Sequence, residues 1–172
     1  GAITSSWGDF KNKELRENRI YGFIFSAEHA WNPGSKRGSP KLWKSLLHHL
    51  FGRHDSRLQK IIDLFRSIQD EKRLHVREDL YFNHFFSHPF GKNTSRYAKT
   101  RRIEDFHSLI KDLDMALGHC DDLSDLVHKN ALNVDVLAFT ARHLKLYCLK
   151  RLLSERMVKF NPQKAHPNHV KA

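Results

Sequence analysis

Apolar residues recur at Ile103, Phe106, Ile110, Leu113 and Leu117, three or four positions apart. That spacing gathers all five side chains onto one face of an α-helix, whereas a strand would scatter them over both of its faces. Gly118 follows and marks the expected end of the helix. The same rhythm returns at Leu58, Ile61, Phe65 and Ile68. No stretch alternates with period two for long, which directs the chain to an all-α fold.

Punctuation supplies the remaining elements. Ser39 at an N-cap, Pro40 at the first helical position, apolar Leu42, Leu46, Leu47 and Leu50, and Gly52 just beyond the end define one complete helix. Residues 9–20 form a charged opening helix. The apolar YGFIFSA after them fits either a continuation or an extended segment. An aromatic helix is expected over 74–87, stopped by Pro89 and Gly91, then a polar loop at 91–100 and a short helix near 121–130. The last helix, about 134–158, is apolar on more than one side and should lie at the centre. The expected architecture is a single-domain bundle of six or seven helices over 1–159, with a long buried C-terminal helix and a loose tail at 160–172.

At 172 residues with 40% hydrophobic content, twelve Phe among them, the chain can bury one core. No apolar run reaches the length of a membrane span and no signal-peptide pattern opens the chain. The opening Gly1-Ala2 suggests a domain excised from a longer protein. Cys120 and Cys148 lack disulfide-framework and metal-ligand patterns, and read as reduced, packed thiols in a reducing compartment.

Charge narrows the partners. Lys and Arg number 30 against 19 Asp and Glu, a net +11, which favours an anionic partner. Residues 104–135 carry eight acids and two bases, a net −6, so the remainder carries +17.

No phosphate-cradling glycine loop, nucleophile elbow, paired-cysteine motif or zinc-protease motif is present. His84 and His88 stand one helical turn apart, a spacing that suits zinc, but thirteen histidines produce such pairs by chance and no third ligand accompanies them. No metal or other cofactor is expected. All-helical ribonucleases of the HEPN type place four to six residues between an arginine and a following histidine. Arg101 or Arg102 with His107, and Arg77 with His84, meet that spacing, again at the frequency chance provides. Asp121 and Asp122 read as acids at a helix N-terminus rather than an acid–base pair.

The connection AWNPGSKRGSPKLWKSLL is the best candidate for a binding site. The helix beginning at Pro40 directs partial positive charge toward it. Ser35 and Ser39 add hydroxyls, and Lys36, Arg37, Lys41 and Lys44 add charge. Trp31 and Trp43 are rings suited to a membrane interface or to stacking. A solvent-facing connector with both tryptophans packed inward is the plainer alternative. Lys92, Arg96, Lys99, Arg101 and Arg102, with Tyr97 among them, form a second basic strip suited to RNA or DNA.

In texture, RLQKIIDLFRSIQDEKR, FNHFFSHPFGKN and RRIEDFHSLIKDLDMAL resemble helical domains of bacterial type IV secreted effectors. The resemblance spans most of the chain and carries over no functional residue. It implies a module acting in a host cytosol, on a host protein or at an organelle membrane, rather than a housekeeping enzyme. The functional expectation is a non-catalytic basic module that binds a phosphoinositide, an acidic membrane surface or an acidic host protein.

Overall fold

The computed structural model describes residues 20–32, 34, 40–69 and 103–160. Among these, every regular element is helical: α1 (Ile20–Trp31), α2 (Pro40–Phe51), α3 (Ser56–Gln69), α4 (Ile103–Ser124) and α5 (Leu132–Phe160). These five are fewer than the six or seven expected. The expected helices at 9–20 and 74–87, the loop at 91–100 and the tail after Phe160 lie outside the described residues. YGFIFSA is helical, and Tyr21 turns its ring into the core.

Helix α2 has the limits its punctuation specifies. Trp43, Leu46, Leu47 and Phe51 form its buried stripe. Gly52 then takes φ +74°, and its N–H donates to the His48 carbonyl at 2.9 Å. A side chain here would face two penalties. The left-handed backbone disfavours any Cβ, and that Cβ would stand 3.3 Å from the Lys129 Cβ.

Helices α4 and α5 form the principal pair, with α3 packed against α4. The core gathers Leu47, Phe51, Leu58, Ile61, Phe106, Leu109, Leu113, Leu123 and Leu137, all almost fully buried. Gly118 does not end α4. The apolar spacing continues past it through Cys120 and Leu123, and their burial offsets the roughly 1 kcal/mol that a mid-helix glycine costs. The helix therefore absorbs the start of the segment expected near 121–130. Asp121 and Asp122 consequently sit in its last turn, not its first, where the helix dipole disfavours acids. Arg57 compensates, with its guanidinium 3.4 Å from the Asp122 carboxylate.

Polar bonds lock the α2–α3 corner onto the α4–α5 corner. Asn130, at φ 51°, donates from Nδ2 to the Leu50 carbonyl at 2.7 Å. Arg53 donates to the Leu126 carbonyl at 3.2 Å. Asp55 caps α3, accepting the Arg57 N–H at 3.0 Å and the Arg57 guanidinium at 3.0 and 2.8 Å. This fork pulls the Asp55 pKa down to about 2.

The C-terminal helix departs from expectation in how it is buried. Its inward side carries Val134, Leu137, Ala141, Tyr147 and Cys148, but also the charged pair Arg151 and Glu155, 3.9 Å apart. Five large apolar residues of the same helix, Leu132, Phe139, Leu146, Leu149 and Leu153, face solvent instead. Against its neighbours α5 buries most of its circumference but not all, so it flanks the core rather than threading its centre.

Candidate functional site

Helices α1 and α2 flank the basic connection. Trp31 is the last residue of α1, and Asn32 continues the helical bonding by donating its N–H to the Glu28 carbonyl at 2.7 Å. Ser35, Lys36, Arg37 and Ser39 lie outside the described residues. Pro40 opens α2, with Lys41 and Lys44 both exposed. Leu42 and Trp43 in this first turn both have interaction partners.

The two tryptophans have opposite fates. Trp31 is 92% exposed, while Trp43 is 3% exposed and packs in the core. Trp43 falls on the same helical face as Leu46, Leu47 and Phe51 and is carried inward with them. The contact role expected of Trp43 is thereby corrected: a buried ring cannot reach a partner, and the apolar anchor is left to Trp31.

The outward face of α2 carries basic side chains. Lys41, Lys44 and His48 follow one another at three- and four-residue spacing, all exposed, with Ser45 beside them. The helix contains no acidic residue to offset them. His48 stands four residues after Lys44 and so extends the same face, a residue that the charge pattern of the connection alone does not include. Its ring lies edge-on to that of His49, with centroids 6.0 Å apart.

The other candidate sites are only partly described. His107 is exposed on α4, but Arg101 and Arg102 lie outside the described residues, as do Arg77, His84 and His88. The strip at 92–102 lies outside them as well. Among the described residues no three His, Cys, Asp or Glu side chains converge as metal ligands. Among them, too, no helix is long and apolar enough to cross a membrane. Both cysteines are buried thiols outside any disulfide. Burial, reinforced by the Asp121 carboxylate, pushes the Cys120 thiol up to about 11, so it is not a nucleophile at neutral pH.

Comparison of the chain with protein-family models, with curated proteins and with solved structures found no match.

Proposed function

We propose that the chain is a non-catalytic helical module that binds an anionic surface through α2 and the connection before it. The observations that carry this reading are Trp31, a large ring 92% exposed at the end of α1, and Lys41 and Lys44, both exposed in the first turns of α2. An exposed tryptophan and exposed lysines suit the boundary between phosphate headgroups and lipid tails, where the ring takes the apolar side and the ammonium groups take the charge. The net +11 adds long-range attraction to such a surface. The preferred partner is a phosphoinositide-bearing or otherwise acidic membrane, with an acidic protein as the alternative. Residues Ser35, Lys36, Arg37 and Ser39 complete the proposed contact set. In keeping with the resemblance to secreted effector domains, the setting would be the cytosolic face of a host membrane.

Vesicle co-sedimentation tests this reading. The chain should pellet with phosphoinositide-containing vesicles and stay in solution with neutral ones. Trp31→Ala should weaken binding about tenfold while folding normally, because its ring is exposed. Lys41→Ala with Lys44→Ala should weaken it by a similar factor at low salt and less at high salt. Equal pelleting with neutral vesicles, or full binding by Trp31→Ala, would refute the proposed site.

A further inference from the structure

Helix α5 carries a second surface, independent of α2. Leu132, Phe139, Leu146 and Leu153 recur every seven residues and are 71, 51, 56 and 56% exposed. Three residues after each of them stand Asp135, Arg142, Leu149 and Arg156. From Leu132 to Met157, every exposed residue falls on one of these two heptad positions, and all others are buried or half-buried. A strip confined to two positions of a seven-residue repeat has the narrow geometry of a coiled-coil seam, not the broad apolar arc of a helix lying on a membrane. Leu132 to Leu153 spans about 32 Å at the α-helical rise. Its exposed apolar residues present on the order of 500 Å², the upper end of what a monomer leaves uncovered.

We infer that this strip pairs two copies of the chain, with their α5 helices antiparallel about a twofold axis near Leu146. Charge selects both the occupant and the direction. Parallel pairing in register would oppose Asp135 to Asp135, Arg142 to Arg142 and Arg156 to Arg156 along the seam. Antiparallel pairing instead places Asp135 of each copy opposite Arg156 of the other, at both ends of the contact. The apolar residues share that symmetry. Phe139 and Leu153 lie seven residues either side of Leu146, so each meets the other across the axis while Leu146 meets its own counterpart. Phe139 is already stacked on His143, centroids 6.1 Å apart, which limits the ordering still needed on association. The net +11 does not oppose the pairing at this face. Residues 103–160 hold eight bases and nine acids, so the excess positive charge lies on the rest of the chain.

Sedimentation velocity over about 1–100 µM at physiological salt tests the pairing, since affinities of this class lie in that range. The expected species grows from one chain of 20.2 kDa to two with rising concentration. Leu146→Glu sets two like charges on the axis and should weaken association at least ~100-fold. Because Leu146 is more than half exposed, the variant should keep wild-type helicity and melting. Arg156→Asp alone should weaken the dimer about tenfold, and adding Asp135→Arg should restore it. Direction is read from cysteine variants oxidised by glutathione disulfide, the native thiols being buried. Leu146→Cys should give a disulfide-linked dimer and Leu132→Cys should not. A monomer at all concentrations with no cross-link by Leu146→Cys would overturn the proposal, whether the strip is then found on vesicles or on nothing. So would a dimer indifferent to Leu146→Glu, or equal cross-linking by Leu132→Cys, which marks a parallel pair.

Discussion

Replacing Asp55 by Asn tests the corner that holds α3 against the α4–α5 pair. The carboxylate accepts the Arg57 N–H at 3.0 Å and two guanidinium bonds at 3.0 and 2.8 Å, and its side chain is only 9% exposed. Its pKa is drawn from the ordinary 3.8 to about 2, first by the side-chain bonds to Arg57, against an opposing push from burial. At ~1.36 kcal/mol per unit, that depression is worth about 2 kcal/mol at most. Arg57 remains 28% exposed, so solvent screening reduces the expected value to about 1–2 kcal/mol. Asparagine can still accept the Arg57 amide, so the cap survives and mainly the charge is lost. For a carboxylate with a depressed folded pKa, the stabilisation is complete above the unfolded value and fades as pH falls through the folded one. Wild type should therefore melt ~2–6 °C above Asp55→Asn at pH 7, and the gap should close between pH 4 and pH 2. Differential scanning calorimetry at pH 7, 4, 3 and 2 measures it. A gap that persists unchanged to pH 2, or never opens at pH 7, would refute the role assigned to the fork.

Three further outcomes follow from local geometry. Gly52→Ala should cost about 1–2 kcal/mol, from the left-handed backbone and the crowding at Lys129, measurable as a lowered urea midpoint with an unchanged slope. Cys120, 2% exposed with its pKa pushed up to about 11 by burial, should resist iodoacetamide in the native protein and react only on unfolding. A raised folded pKa gives stability that is present below the unfolded thiol value and lost as pH rises toward the folded one. Stability should thus decline between about pH 9 and 11, with burial of the Tyr21 phenol adding to the loss at still higher pH. Rapid native labelling would contradict that burial.

Much of the architecture was legible because helix signals are local. Pro40 and Gly52 bound α2 as their backbone preferences dictate, and the spacing at Leu58, Ile61, Phe65 and Ile68 marks the buried face of α3. Gly118 misled for a related reason. Its intrinsic cost is small, and burial of Cys120 and Leu123 beyond it outweighs that cost. With the end of α4 displaced, Asp121 and Asp122 lie at the C-terminal pole of a helix instead of the N-terminal pole that the glycine implies.

The candidate site was legible in its composition but not in its exposure. Lys41 and Lys44 are surface cations, as expected of lysine, but nothing local distinguishes Trp31 from Trp43. That distinction depends on which face of α2 meets the core and on where α1 ends. The sequence by itself determined that this protein is helical, basic and unevenly charged, because backbone preference and titratable groups belong to single residues and near neighbours. Only the tertiary structure decided that Trp43 is core and Trp31 surface, that Arg151 and Glu155 are buried, and that Leu132, Leu146, Leu149 and Leu153 of α5 face outward. Burial is a property of facing elements: the same apolar periodicity serves a core or an open seam, and only packing determines which faces are covered.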